Sequence, residues 1–253
     1  MVYLDCQDVD STVRSLATAS ELPAHLLVEK MPSFEVDWVE LAPADVDPLV
    51  VAPRDYFQLL GVDIGDLRFE GTYYFHGTRV IDPDSFRRDG ILPLGRMIDR
   101  LWETLYELIR DDVTEEQWRR CRADLEAGGG DHDGWLYRTK VDNPVHHGPY
   151  AMLVRDHLLN PRATHSHDYL ATPEIVEDIA RACGFGLQAR FDAAATSCTV
   201  KFRINDTRDV DVEAAFWYAY TMTRGEGIGM ASLAGIDLGG CPVPAADILA
   251  VDS

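Results

Sequence analysis

The stretch GTYYFHGTRVIDPDSFRRDGILPLGR, residues 71–96, carries the reading of this chain. Three consecutive aromatic residues, Tyr73, Tyr74 and Phe75, mark a β-prone run that gives way to His76-Gly77-Thr78. Glycine in a strand pattern lets the backbone approach a ligand closely. The strand is therefore expected to stop at a candidate binding site, with a short helix ending in Asp89-Gly90 behind it.

Working outward, the apolar positions Leu94, Met97, Ile98, Leu101, Leu105, Leu108 and Ile109 recur every three or four residues, which predicts an amphipathic helix over 94–109. Thr114 with Gln117 three residues on is a capping-box pattern, and Gly128-Gly129-Gly130 would stop that second helix. PYAMLVRDHLLN (149–160) predicts a helix with Pro149 at its first position and Asn160-Pro161 at its end. TPEIVEDIARACG (172–184) predicts another, capped by Thr172 and terminated by Gly184. Alternation in LQARFD (187–192) and CTVKFRI (198–204) reads as a strand pair. VEAAFWYAYTM (212–222) reads as a helix or a buried strand, and MASLAGIDL and DILAV as closing strands.

Upstream, HLLVEKM (25–31), VDWVEL (36–41) and DPLVVAP (47–53) are short apolar runs broken by prolines and acids, which predict short strands and turns. The expected organisation is an N-terminal lobe over 1–70 and a second domain over 71–253, of mixed α+β class. A chain of 253 residues with 46% hydrophobic side chains is long enough to bury a core.

The 43 acidic against 23 basic residues give a formal charge of -20, distributed along the chain. That field repels phosphate backbones, so stable nucleic-acid binding is not expected, whereas a small anion held by a few arginines and backbone amides is compatible with it. Cys6, Cys121, Cys183, Cys198 and Cys241 are odd in number and never form CxxC, which predicts reduced, mostly buried thiols. With no leader-like start and no apolar run of membrane-spanning length, the expectation is a cytoplasmic protein without a membrane partner.

YYFHGTR, followed by a short helix and DGI, resembles the first motif of the ADP-ribosyltransferase superfamily, in which a strand ends in His-Gly-Thr or His-Gly-Ser. The resemblance implies a split β-sheet fold, with residues from Leu94 to about Gly130 as a helical insertion. It also implies NAD as the substrate, with ADP-ribosyl transfer or NAD glycohydrolysis as the activity. By it, His76 would bond a ribose hydroxyl of NAD and the Gly77 backbone the nicotinamide carboxamide, with Thr78 and Arg79 beside them. The family's second motif, an aromatic residue on a strand leading into a helix, is matched by Tyr169 in DYLATPEIVEDIA, which is preferred, or by Tyr150 in HHGPYAMLV. Its third, a glutamate before the penultimate strand, is matched by Glu226 in TRGEGIGMASLAGIDL. Such a carboxylate stabilises the oxocarbenium-like ribose as nicotinamide departs. Arg224 stands where arginine-modifying members have a glutamate or glutamine, so the acceptor is left open, and with it a toxin, defence or housekeeping role. CPVPAADILAVDS is similar to the closing strand. GILPLGR is similar to a segment of the RNA 2'-phosphotransferase branch, although MIDRLW follows where that branch has a histidine pair.

Other readings stand beside this one. His76 could be a half-buried histidine bonded to a backbone carbonyl, the tyrosines core aromatics, and Glu226 a solvated carboxylate. His132, His146, His147, His157, His165 and His167, with Asp131, Asp133 and Asp168, crowd one stretch, and HSHD spaces two imidazoles as a metallo-hydrolase site does. No second pair completes it, and a polar histidine-rich surface loop is expected there, with no bound metal. A non-catalytic nucleotide-binding member of the same fold is the further alternative. No P-loop, Gly-x-Gly-x-x-Gly or Gly-x-Ser-x-Gly segment is present.

Overall fold

The opening stretch forms a strand, β2, over Gly71–Val80, which does not stop at His76 but runs four residues past it. The computed structural model describes residues 2–36, 47–128 and 132–253. Gly71 starts β2 because a Cβ there would lie 2.1 Å from the Ile204 carbonyl oxygen. The other strands are β1 (Tyr3–Leu4), β3 (Tyr150–Met152), β4 (Thr196–Ile204), β5 (Gly235–Asp237) and β6 (Ile248–Asp252). Their order is β5-β3-β2-β4-β6, with β1 pairing β2 in parallel and β3 pairing β2 antiparallel through Phe75 opposite Met152. The class is α+β.

The chain forms two compact units, each discontinuous in sequence: residues 1–75, 151–168 and 202–236 make one, and 76–150, 169–201 and 237–253 the other. Residues 1–70 thus share a unit with later segments. Apart from β1, the main elements among the described residues of this stretch are helices rather than short strands: α1 (Val9–Ala19), α2 (Ala24–Lys30) and α3 (Pro48–Leu59). HLLVEKM lies largely in α2 and DPLVVAP in α3, while VDWVEL beyond Val36 falls outside the described residues. The prolines misled because they sit where helices accept them: Pro23 is the N-cap of α2, and Pro48 opens α3 behind an Asp47 cap that accepts from the Leu49 amide at 2.9 Å. Pro53 lies inside α3 and cannot donate to the Leu49 carbonyl; Trp217 Nε1 donates to that carbonyl instead, at 2.8 Å.

The first unit is built on α11 (Asp209–Thr223), whose residues 214–220 are all buried, so periodicity could not separate helix from strand. Its aromatic rings pack with Phe34, Tyr56 and Phe57, and their polar tips are satisfied: Tyr220 donates to the Phe34 carbonyl and Tyr56 to the Leu27 carbonyl, both at 2.8 Å. The N-terminus of α11 holds the buried Asp211, which accepts from the Tyr74 hydroxyl at 2.6 Å and from Arg208 Nε at 3.0 Å. Here too lies α8 (Arg155–Leu159).

The second unit contains α4 (Ser85–Asp89), α5 (Leu94–Glu107), α6 (Glu115–Glu126), α7 (His132–Asp142), α9 (Glu174–Cys183) and α10 (Leu187–Ala194). The predicted stripe of α5 is inward, with Ile98 and Leu105 buried and Trp102 added to them. Thr114 and Gln117 form the predicted capping box of α6, which ends at Glu126; Gly129 and Gly130 lie outside the described residues. Trp102 Nε1 donates to the Tyr137 hydroxyl at 2.9 Å, tying α5 to α7, a helix in a stretch where the sequence predicts a polar histidine-rich loop. LQARFD is helix, not strand: Leu187 and Phe191, both buried, are four apart, and so short a run fits either period.

The cysteine expectation is corrected. Packing of α6 against α9 brings the Cys121 and Cys183 Cα atoms to 5.8 Å, and the two form a disulfide; Cys6 and Cys198 are buried thiols and Cys241 is an exposed one. No spacing rule reveals a pair separated by 62 residues. Among the described residues, no helix is long and apolar enough to cross a membrane.

Candidate functional site

In the second unit, the face of β2 that carries His76, Thr78 and Val80 borders two cavities. His76 Nδ1 lies 2.8 Å from the Tyr150 carbonyl oxygen. A carbonyl only accepts, so the proton sits on Nδ1 and the neutral ring offers Nε2 as an acceptor. Burial holds the imidazole below its ordinary pKa, against the smaller opposing effect of the Tyr150 carbonyl. The ring meets Phe86 edge-on at 6.2 Å between centroids. Beside it is a cavity of about 150 Å³, lined also by Thr78, Ile91, Met97 and Arg100.

Asp89-Gly90 gives this cavity its wall. Gly90 ends α4 with φ +76°, and a Cβ there would lie 2.0 Å from the Val243 carbonyl oxygen. That close approach allows Ile91 and Val243 to exchange backbone hydrogen bonds at 3.0 and 2.9 Å. The Val-Pro turn near the end of the chain therefore packs on the strand-helix motif that opened the reading.

Tyr150 is on β3, five residues before the first residue of α8, and not at the start of a helix as the Pro149 signal predicts. A three-residue strand is set by pairing with its neighbour, which a local proline signal does not report. The Tyr150 hydroxyl donates to the Val145 carbonyl at 3.2 Å; burial raises its pKa, helped by the nearby Asp237 and Tyr169. Tyr169, the preferred residue, occupies a turn before α9, and burial raises its hydroxyl too. The expected setting of strand followed by helix thus belongs to Tyr150, whose backbone also holds His76. Thr172 does not cap α9: Pro173 takes that position, and the Thr172 hydroxyl donates to Asp192.

Arg79 donates from Nη2 to the Asp192 carbonyl at 2.8 Å and lines, with Thr78, the second and larger cavity, of about 550 Å³. Neither this cavity nor the contribution of Phe191 to it is visible in the sequence, because the alternation in LQARFD predicts a strand where α10 forms.

Glu226 belongs to the first unit, on the loop between α11 and β5, which is the penultimate strand. Its amide donates to the Thr221 carbonyl at 2.9 Å, and its half-exposed carboxylate accepts from Arg224 Nε at 2.7 Å. Arg224 in turn donates to the Pro32 carbonyl at 2.9 Å and lies over the Tyr220 ring at 5.1 Å. Glu226 also lines a cavity of about 270 Å³ with Trp217, Tyr220 and Ala231. His76, Gly77, Thr78, Arg79, Tyr150 and Tyr169 are thus in one unit and Glu226 in the other.

Among the described residues, the histidine-rich stretch does not converge. His147 Nε2 bonds the Val141 carbonyl at 2.8 Å, whereas His157 is fully buried between the Ser232 and Thr164 hydroxyls at 3.0 and 3.3 Å. Burial lowers the His157 pKa. Asp131 and the side chains of His132 and Asp133 lie outside the described residues, and among the described residues no three metal-ligating side chains gather. Comparison with protein-family models, with curated proteins and with solved structures finds no match to this chain.

Proposed function

We propose that the chain binds NAD at His76 and breaks its nicotinamide-ribose bond, as an ADP-ribosyltransferase or an NAD glycohydrolase on an ADP-ribosyltransferase-like split sheet. The observation that carries this reading is the His76 ring, held by Nδ1–H on the Tyr150 carbonyl with Nε2 left as acceptor at a cavity wall. A neutral imidazole so fixed suits a ribose hydroxyl as donor. The roughly 150 Å³ beside it is below the ~300–1,000 Å³ of whole-ligand pockets, so it fits one ring of a dinucleotide rather than all of it.

In the reaction, the bonding pair of the C1'–N bond leaves with nicotinamide, which becomes neutral, and positive charge spreads over ribose C1' and its ring oxygen. Water or another nucleophile then attacks C1' and loses a proton. By the resemblance alone, a tyrosine face from Tyr150 or Tyr169 would shield the nicotinamide, and a carboxylate in the role of Glu226 would stabilise the growing charge. The hydrogen bond from Arg224 to Glu226 favours a second reading, a member that binds NAD without turning it over, because a carboxylate already paired offers less to a cation. Nicotinamide release from NAD, measured beside NAD binding, tests both. Release that His76→Ala abolishes supports catalysis; binding without release supports the second reading; neither binding nor release ends both.

A further inference from the structure

The cavity of about 550 Å³ next along β2 is enclosed by α4, α5, α9 and α10, all of the second unit. Its floor is apolar, from Ile81, Leu101, Ile175, Val176 and Phe191. Its charges are unlike those of the chain. Three arginines, Arg79, Arg88 and Arg100, line it against two aspartates, Asp82 and Asp89, in a protein of net charge -20. Arg88 is paired with Asp82 and Arg100 with Asp89, each at 2.6 Å.

Arg79 is different. Among the described residues its guanidinium makes one hydrogen bond, to the Asp192 carbonyl, and no ion pair. The Asp192 carboxylate accepts instead from Thr172, and Arg79 Nε is buried without a partner. A guanidinium that meets no carboxylate, in a chain with nearly two acids per base, leaves a positive charge at the wall of an apolar cavity.

We propose that this cavity is a binding site for a small acid that has one carboxylate or phosphate head and an apolar body of at least the size of a phenyl ring. The head pairs with Arg79 while the body lies on Ile81, Ile175 and Phe191. An apolar cavity with one convergent charged group selects such a ligand: the floor supplies affinity and the guanidinium orientation. Asp82 and Asp89 are each already paired with an arginine, so neither offers a free carboxylate to a cation.

The test uses isoleucine methyl spectra of the whole chain titrated with benzyl phosphate and 3-phenylpropanoate, each beside its neutral counterpart, benzyl alcohol and 3-phenylpropanamide, and with inorganic phosphate. The expected result is saturable shifts of the Ile81 and Ile175 methyls with at least one acid, its neutral counterpart weaker by about tenfold or more. Which acid binds distinguishes a carboxylate from a phosphate head. Arg79→Gln should erase the preference for the acid. Leu101→Glu, a change at a partly exposed wall position that adds a negative charge, should abolish acid binding with the fold intact, should the Arg79 variant prove unstable. Equal binding of acid and neutral probe, no shift with either acid, or inorganic phosphate binding as tightly as benzyl phosphate would overturn the proposal. The probes contain neither nicotinamide nor ribose, so the outcome is independent of any NAD turnover at His76.

Discussion

His76 and Tyr150 are joined through the backbone of the latter: the Tyr150 carbonyl accepts from the imidazole Nδ1 at 2.8 Å. One candidate for the aromatic face therefore fixes the tautomer of the candidate ribose ligand, although the two are 74 residues apart. A histidine and a tyrosine coupled in this way are perturbed together, and a substitution that moves β3 changes what Nε2 of His76 can accept.

That environment sets a pH dependence. Burial lowers the pKa of His76 and of the fully buried His157, the latter facing Ser232 and Thr164 with Asp156 nearby. The folded protein holds both rings neutral, whereas the unfolded chain takes up protons near pH ~6.5. The stability they contribute is complete above that value and is lost as pH falls below it. Urea midpoints should drop between pH ~7.5 and ~5.5, and by less in His76→Gln. A His76 C2-proton titration centred above pH ~6.5 would contradict this assignment.

Gly90 tests the wall that joins the opening motif to the end of the chain. Alanine there places a methyl group 2.0 Å from the Val243 carbonyl oxygen and meets a φ of +76° as well. Gly90→Ala should therefore destabilise by at least about 2 kcal/mol, and the Ile91 and Val243 amides should lose hydrogen-exchange protection. Wild-type stability would show that the chain near Val243 packs elsewhere.

Much of the fold was legible wherever one element offers one strong period or cap. The stripe from Leu94, the Thr114–Gln117 box and the Gly184 stop all stand in the structure. Where a run is short or buried all round, the pattern carries too little: LQARFD fits two periods, and Tyr150–Met152 is a strand by virtue of its neighbour. At the candidate site, the strand that carries His76 was legible because an aromatic run is a local signal. The Arg79 cavity was not, since Ile175 and Phe191 come together there only through the packing of α9 with α10, elements distant from β2 and α5 in sequence.

The Cys121–Cys183 disulfide closes a loop across 62 residues and fastens α6 to α9. Restricting the unfolded chain over that length stabilises by about 2–4 kcal/mol. Thiol titration in denaturant without reductant should count three thiols, those of Cys6, Cys198 and Cys241. Reductant, or the Cys121→Ser, Cys183→Ser pair of changes, should lower the denaturation midpoint. Five titratable thiols in the protein as isolated would mean that the bond is absent, and the expectation of reduced cysteines would return.

Glu226 is where the chemistry and the structure pull apart, and a change of rate against stability separates them. Its carboxylate meets Arg224 at 2.7 Å on a half-exposed loop, and such a pair contributes at most about 1 kcal/mol to folding. Glu226→Gln keeps the size and an acceptor for Arg224, so the melting temperature should hardly move. Positive charge on the ribose of NAD appears only as nicotinamide departs, so a stabilising carboxylate is felt in the transition state and little in the ground state. NAD affinity should stay within a few-fold of the parent, while nicotinamide release falls by roughly a hundredfold or more, the scale of removing one electrostatic stabiliser. Glu213 on α11 is the control: burial already raises its pKa, so a neutral glutamine there is tolerated and the rate should not change. If NAD is consumed and Glu226→Gln leaves the rate intact, the carboxylate serves only to hold Arg224 against the Pro32 carbonyl, and the group that stabilises the ribose cation must be sought in the unit that contains His76.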